Sequence, residues 1–187
     1  MAKTVLTSGT GCTGKTTLMA QFFYERLGRP PLFASLMRLD DAHQEYDYFI
    51  VPAIPTAKSL QESASTINAL AALGIEPRRI RLLFNRVAHR VEDAFHPLLS
   101  YVHKQKNCVA NTAAAAYQNE IFDMLHDFRL TIDALLADDR DFRSLARSKD
   151  PEVNEKLRLQ YATLHIMRGL ARGIQPKLDK AFEALFA

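Results

Sequence analysis

The first feature that could do chemistry is a glycine-rich segment near the start of the sequence. It follows the pattern G-x-x-x-x-G-K-[ST], in which glycines let successive backbone N–H groups converge on an anion. The lysine of this pattern, here Lys15, reaches the β- and γ-phosphates, and the hydroxyl of Thr16 binds Mg²⁺. A glycine-threonine turn without a ligand is the alternative. The residues predicted to hold the phosphates are Gly9, Thr10, Gly11, Cys12, Thr13, Gly14, Lys15, Thr16 and Thr17.

Hydrolysis needs more than a phosphate-binding loop, because a carboxylate must hold Mg²⁺ or its water and the nucleophile must be positioned. Such an acid usually follows an apolar strand, but the clearest strand in this sequence ends at Pro52. Asp40, with a second aspartate after it, is the nearest candidate, and Asp40 and Lys15 are the predicted catalytic residues. A solvated acidic loop is the alternative for this segment. The sequence therefore predicts nucleotide binding by a P-loop, with no carboxylate clearly placed for hydrolysis.

The elements around the loop alternate between strands and helices. A β-prone run at residues 4–7 enters the loop, and apolar positions at helical spacing follow it as far as Leu27. Residues 32–41 suit a helix or a strand equally. Residues 48–51 predict a buried, central strand, residues 57–73 a helix stopped by Gly74, and residues 80–84 the next strand. The pattern indicates an α/β fold: a mostly parallel sheet flanked by helices, of the P-loop NTPase type.

The second half of the sequence predicts mainly helices. A helix at residues 95–102 and a short edge strand at residues 107–110 complete the α/β part. From Asn119 onward the sequence predicts helices at residues 120–128 and 131–136. A long apolar stripe over residues 153–170 predicts a third helix, and a last helix is predicted at residues 178–186. We therefore predict a nucleotide-binding α/β domain at residues 1–118 and a C-terminal helical extension at residues 119–187. The stripe could pack on its own domain or on a partner.

Composition excludes several classes of protein. In 187 residues, Lys and Arg number 24 and Asp and Glu 21, so the net charge of +3 is too small to indicate a nucleic-acid binding surface. Cys12 and Cys108 lie far apart in unlike settings, which does not indicate a disulfide or a metal site. The sequence contains no apolar run long enough for a membrane helix and begins without a signal-peptide pattern. We expect a cytoplasmic protein without a membrane span.

A basic cluster surrounds the strand at residues 80–84. It could contact phosphates, DNA or an acidic partner, or it could be a solvated rim of the sheet. If the cluster faces the nucleotide, Arg86 or Arg90 could stabilise charge on the γ-phosphate. Its members are Arg78, Arg79, Arg81, Arg86, His89 and Arg90.

Three segments together carry a resemblance to a known family: the loop at residues 7–17, the strand at residues 46–55 and residues 82–87. With them the chain resembles the ParA/MinD-type P-loop ATPases, and most of all the StbB-type plasmid stability and conjugative transfer proteins. The likeness continues more loosely at residues 119–122, 136–139 and 178–182.

The resemblance implies a function and a set of ligands. It implies that residues 9–17 bind ATP with Mg²⁺ and that Asn85 contacts the adenine, since an amide can donate to and accept from an adenine edge. A turn asparagine at the end of the strand is the alternative for Asn85. The resemblance also implies action in plasmid partition or conjugation through a protein partner such as a DNA-binding plasmid adaptor, and a nucleotide-dependent homodimer. The sequence contains no motif that would read DNA directly.

The sequence departs from the family pattern in two places. Thr10 stands where the family has a second lysine, and only about twenty residues separate the first helix from the strand at residues 48–51. Two alternatives therefore stay open: a nucleotide-binding interaction module that has lost hydrolysis, and a small-molecule P-loop kinase.

Overall fold

The computed structural model of the chain describes residues 5–7, 32–33 and 46–187. These residues contain a single five-stranded sheet in the order β2-β1-β3-β4-β5, and every neighbouring pair of strands is parallel. The strands are β1 (Val5–Thr7), β2 (Leu32–Phe33), β3 (Tyr48–Ala53), β4 (Ile80–Val87) and β5 (Ala115–Tyr117). The predicted α/β class with a parallel sheet is confirmed, and of the two possibilities left open at residues 32–41, the described part of that segment is a strand.

Seven α-helices lie within the described residues, all of them after β3. They are α1 (Ala57–Ala72), α2 (Val91–Ala94), α3 (His96–Gln105), α4 (Ile121–Phe128), α5 (Ile132–Ala137), α6 (Phe142–Ala146) and α7 (Glu155–Phe186). A 3₁₀ turn at Pro77–Arg79 leads into β4. None of the helices in these residues combines the length and the apolar character needed to cross a membrane.

The centre of the sheet is the pair β3 and β4. Their register runs without a break from Phe49 opposite Ile80 to Ala53 opposite Phe84, and nearly all their side chains are buried. A parallel strand covered on both faces reads as a continuous apolar run, which is why residues 48–51 were predictable as a central strand. The ring of Phe84 meets that of Phe95 edge to face, 4.9 Å between centroids, so the helical layer packs directly on β4.

β3 continues through Pro52 to Ala53, so the predicted end of this strand at Pro52 is wrong. Proline has no N–H to donate and is usually confined to strand edges. Here β1, as described, ends at Thr7 opposite Ile50. Pro52 therefore lies beyond the described pairing, and its missing donor removes none of the bonds described between β3 and β1.

The edge strand is also displaced from its predicted place. Residues 107–110 contribute only one isolated parallel bridge, between Val109 and Arg81. The paired edge strand is β5, two alanines with weak intrinsic strand preference followed by a tyrosine. Its formation is decided by pairing with β4, where Phe84 N–H donates to the carbonyl of Ala114 at 3.0 Å.

Helix α1 matches its predicted limits because both ends carry strong local signals. The hydroxyl of Thr56 accepts a hydrogen bond from the backbone N–H of Ser59 at 3.3 Å, which caps the first turn. Gly74, with a φ of 79°, ends the helix in the left-handed region that favours glycine. The buried side chains of Ile67 and Leu70, three residues apart, lie on one face of the helix.

The last helix, α7, is continuous over 32 residues, whereas the sequence predicted two helices, one along residues 153–170 and one at residues 178–186. The reason is an unbroken stripe of buried side chains at three- and four-residue spacing. Pro176 itself is exposed, so its ring lies away from that stripe. The stripe consists of Met167, Ala171, Ile174, Leu178, Ala181 and Leu185.

The chain divides into two compact units, which we call unit 1 and unit 2. Unit 1 contains Met1–Asn119 and Leu178–Ala187, and unit 2 contains Glu120–Lys177. The boundary predicted between residues 118 and 119 lies within one residue of this division, but the last ten residues belong with unit 1 rather than with the extension. Contacts made by the sheet explain this: Arg81 Nη1 donates to the carbonyl of Ala187 at 2.8 Å, and Tyr48 and Phe186 meet edge to face at 4.9 Å.

Unit 2 is organised around Arg168, whose side chain is 12% exposed. The guanidinium donates to the carbonyls of Asp138 at 2.7 Å and Arg140 at 2.8 Å, and it lies 4.1 Å above the ring of Phe142. Hydrogen bonds from Arg140 lower the pKa of the Asp138 carboxyl to about 2, so this carboxylate stays charged beside Arg168 at neutral pH. One side chain of α7 thus holds the connection between α5 and α6.

The first prediction concerns Pro176. Proline inside a helix lacks one hydrogen bond and crowds the carbonyl four residues earlier, so Pro176→Ala should raise the free energy of unfolding by about 1–3 kcal/mol. Urea unfolding followed by circular dichroism at 222 nm measures the change. Lys177→Ala, at the next exposed position, is the control and should change the value by under about 0.5 kcal/mol. A loss of stability in Pro176→Ala would contradict this account.

The second prediction concerns Arg168. Arg168→Met keeps the apolar stem but leaves partly buried backbone carbonyls without donors, so it should lower the free energy of unfolding by about 1–3 kcal/mol. Arg168→Lys keeps the charge but not the planar fork and should recover only part of this. Arg172→Met, at an exposed position one turn later, is the matched control. Equal effects of Arg168→Met and Arg172→Met would show that these bonds contribute nothing.

Candidate functional site

The strand order points to one edge of the sheet as the place for a ligand. β1 has β2 on one side and β3 on the other, so the direction in which the chain adds strands reverses at β1. In open parallel sheets, ligands bind outside the carboxyl ends of the strands at such a reversal. Here these ends are Thr7 on β1 and Ala53 on β3, and the sequence passes from Thr7 directly into the predicted phosphate loop.

Most of the predicted site residues lie outside the described part of the chain. These are the whole loop, Gly9 to Thr17, with Lys15 and Thr16, and the predicted catalytic carboxylate Asp40. The predicted adenine residue, Asn85, is described. Among the described residues, no group of three or more His, Cys, Asp or Glu side chains could hold a metal ion.

Asn85 lies within β4 rather than after it, because the strand continues to Val87. Its side chain is buried, and Oδ1 accepts a hydrogen bond from the backbone N–H of Arg86 at 2.8 Å. This bond gives Asn85 a structural role at the strand end, as the alternative interpretation requires. Its contact with adenine stays a prediction.

The left-handed backbone conformation of Arg86 is a feature that the sequence analysis missed. Its φ of 54° places a non-glycine residue in the left-handed region, where the pairing of β4 with β5 shifts register between Asn85 and Val87. The bulge turns the Arg86 side chain outward, and it is exposed while its neighbours on β4 are buried. No residue type in the local sequence signals this conformation, since an exposed arginine is common in regular strands.

The basic cluster is divided between the two ends of β4. At the amino end, Arg79 donates to the carbonyl of Tyr46 and lies 5.5 Å from the ring centroid of Phe49. Arg81 donates to the carbonyl of Arg78 at 2.9 Å and is largely buried. These two arginines stabilise the amino edge of the sheet, which lies opposite the candidate site.

The rest of the cluster lies at or after the carboxyl end of β4. Arg90 Nε is 3.7 Å from Glu92 and 4.0 Å from Asp93, in exposed ion pairs. Arg86 is exposed at the bulge, and His89 is exposed in the turn that follows. Arg86 and Arg90 were the two residues predicted to stabilise the γ-phosphate. Of these, Arg86 lies on β4 at the candidate edge, whereas Arg90 follows the strand.

A second feature missed from the sequence is Tyr117. It ends β5 opposite Val87, next to the bulge, and is 43% exposed. An exposed aromatic ring offers a flat face on which a base can stack. The edge strand was predicted at residues 107–110, so the sequence analysis did not place Tyr117 near Asn85.

The register gives the spacing of the candidate site. Thr7 is level with Ile50 and Ile50 with Arg81, so Asn85 stands four residues further toward the carboxyl edge than Thr7. At strand geometry this is about 13 Å along the strands and about 10 Å across two of them. The end of β1 and Asn85 are therefore too far apart to share one small ion, and an elongated ligand is needed to reach both.

Burial makes the one described cysteine inert. Desolvation raises the pKa of the Cys108 thiol to about 12, so the reactive thiolate is scarce at neutral pH. Cys108 therefore takes no part in the candidate chemistry.

Comparison of the sequence with models of protein families found no match, and comparison with curated proteins found none. Membership of the ParA/MinD group accordingly stays a prediction that rests on the segments at residues 7–17, 46–55 and 82–87.

The third prediction tests the Asn85–Arg86 bulge. A non-glycine residue in the left-handed region costs about 1 kcal/mol, so Arg86→Gly should raise the free energy of unfolding by up to about 1 kcal/mol. Asn85→Ala should lower it by about 1–2 kcal/mol, because the partly buried N–H of Arg86 loses its acceptor. Arg86→Lys keeps the backbone strain and is the control. Destabilisation by Arg86→Gly in urea unfolding would show that the arginine side chain, not the backbone, decides stability here.

Proposed function

We propose that the chain binds ATP with Mg²⁺ through residues 9–17 and acts in the cytoplasm as a nucleotide-dependent switch of the ParA/MinD type. The observation that carries the proposal is the position of β1. Its carboxyl end lies where the strand order reverses, and the phosphate-binding pattern begins only two residues later. Two residues span at most about 7 Å, so the sequence allows no more than that distance between the end of β1 and the first glycine of the pattern.

A triphosphate needs several hydrogen-bond donors and cations at one place, and residues 9–17 would supply them. Lys15 would contact the β- and γ-phosphates and Thr16 would bind Mg²⁺, while the glycines expose backbone N–H groups. Mg²⁺ would neutralise charge on the phosphates. This edge of a parallel sheet is also where phosphate ligands are found in other α/β folds.

The opposite end of the ligand would lie toward β4 and β5. Asn85 supplies an amide for the edge of the adenine, and Tyr117 supplies a ring on which the base could stack. Arg86 adds an exposed positive charge beside them. The offset between Thr7 and Asn85 supports a ligand with phosphates at one end and a base at the other.

For its role in the cell, the resemblance supports plasmid stability, partition or conjugative transfer, with ATP controlling contact with a DNA-binding adaptor. Slow hydrolysis by Lys15 and Asp40 would reset the switch, and homodimerisation could accompany ATP binding. The second candidate is a nucleotide-binding module without hydrolysis. The departure at Thr10 and the short segment before β3 favour it.

The fourth prediction is that ATP binding depends on Lys15 and Mg²⁺. In an equilibrium titration followed by calorimetry, Lys15→Ala should weaken ATP binding about tenfold or more, because a charge-assisted phosphate contact is lost. Omitting Mg²⁺ should also weaken it. Lys104→Ala, at an exposed position near the carboxyl end of α3, is the control. If the folded wild-type protein does not bind ATP, the proposal fails.

The base contact is tested in the same titration. Asn85→Asp keeps an oxygen that can accept from Arg86 N–H but removes the amide donor, so the preference for ATP over GTP should fall. Because Asn85 is buried, circular dichroism checks that the variant is folded. Tyr117→Ala should weaken binding of both nucleotides. An unchanged preference in Asn85→Asp would leave Asn85 as a structural residue only.

Phosphate release then separates the two candidate functions. Release above that of Lys15→Ala supports a weak ATPase, and binding without release supports the non-catalytic module. Transfer of phosphate to an added small-molecule acceptor would instead support the kinase.

A further inference from the structure

Unit 2 contains a groove that no part of the proposed nucleotide site uses. It lies between α6 and α7 and has a volume of about 390 Å³. Its lining combines basic and apolar side chains and consists of Arg143, Ala146, Arg147, Ala162, His165 and Ile166.

The local sequence explains why the groove is open. Arg143 and Arg147 are four residues apart and share one face of α6, with Ala146 beside them. On α7, Ala162, His165 and Ile166 share one face in the same way. Ala146 and Ala162 line the groove from the two helices, and their methyl groups are too small to fill the space between them.

Apolar side chains extend the groove along α7. Ile166 is 57% exposed and Leu159 is 69% exposed, and these two residues are separated by two helical turns with Ala162 between them. Large exposed apolar side chains in a row, beside a groove, are typical of a surface that binds a partner.

The charge of the groove has one sign. Unit 2 as a whole has equal numbers of acidic and basic residues, yet among the described residues no acid lines the groove. No ion pair in the described part of the chain includes Arg143 or Arg147. The nearby carboxylate of Asp141 is engaged by Ser144, accepting from its N–H at 3.1 Å and its hydroxyl at 2.6 Å.

We propose that this groove binds an acidic amphipathic helix of a partner protein. Apolar side chains of that helix would contact Ala162 and Ile166, and its carboxylates would pair with Arg143 and Arg147. This is the helix-in-groove mode of recognition, in which anchors three and four residues apart enter a hydrophobic groove. The proposal goes beyond nucleotide binding and stands or fails independently of it.

The apolar component favours a peptide over nucleic acid. Phosphate backbones are bound by cations and polar groups, and exposed isoleucine and leucine add nothing to such contacts. A helix with one apolar face and acidic flanks fits both kinds of lining. Its apolar face matches the alanines and Ile166, and its carboxylates match Arg143 and Arg147.

The test uses the full chain without nucleotide and a defined probe. The probe is a fluorescein-labelled helical peptide of about four turns, with leucine at three- and four-residue spacing and glutamate on both flanks. Fluorescence polarisation should show saturable binding that weakens as salt rises from about 0.05 M to about 0.5 M, because screening reduces charge pairing. A probe with glutamine in place of glutamate should bind about tenfold more weakly.

Variants locate the binding surface. Arg143→Glu combined with Arg147→Glu should weaken binding about tenfold or more, and Ile166→Ser should weaken it about threefold or more. Lys156→Glu is the matched control, because nine residues place it on the side of α7 opposite His165. Circular dichroism checks that each variant is folded. Should the double reversal not fold, Arg143→Gln with Arg147→Gln replaces it and must weaken binding at least about threefold.

Three outcomes would overturn the proposal. They are the absence of saturable binding, binding that the arginine variants leave unchanged, and equal loss in Lys156→Glu. A labelled DNA duplex is titrated in parallel. If the duplex binds in an Arg143- and Arg147-dependent manner and the peptide does not, the groove is a nucleic-acid surface instead.

Discussion

The buried parallel pairing of β3 and β4 is the constraint on which the rest of unit 1 depends. Both strands are covered on both faces, so water cannot satisfy their backbone groups and each must bond to its neighbour. The register from Phe49–Ile80 to Ala53–Phe84 is therefore fixed, and a slip by one residue would exchange the side chains that face the two layers. The same register determines how far Asn85 stands beyond the ends of β1 and β3.

The two edges of this sheet are used differently. At the amino edge, Arg79 and Arg81 bond to backbone carbonyls, and Arg81 connects β4 to the end of α7 through Ala187. At the carboxyl edge, the exposed groups are Arg86 and Tyr117, beside the buried amide of Asn85. Arginines that look alike in the sequence thus separate into a structural set and a set available to a ligand, and their position along β4 is what separates them.

The parts of the fold predicted correctly from the sequence are those determined by local chemistry. The apolar run at residues 48–51 and the capped helix after Thr56 carry their own signals. Long-range contacts determine the rest. β5 depends on pairing with β4 rather than on strand preference, and Pro52 lies beyond the part of β3 that faces the described residues of β1. Helix α7 passes Pro176 because its buried stripe continues on both sides. Residue type alone shows none of these contacts.

The candidate site shows the same division between local and long-range information. The glycine-lysine pattern was recognised from the sequence because glycine and lysine have limited chemical uses at that spacing, and Asn85 was singled out by the family resemblance. Their contacts with a nucleotide stay predictions. Tyr117 and the bulge at Arg86 were not found, because strand pairing, not residue type, places them at this edge of the sheet.

The backbone at the bulge also favours a functional role for this edge. A left-handed arginine costs energy that glycine would avoid, and strained residues concentrate where a site needs a particular side-chain direction. The Asn85 oxygen stabilises that strained backbone, so the buried amide and the exposed guanidinium form one structural feature at the carboxyl edge.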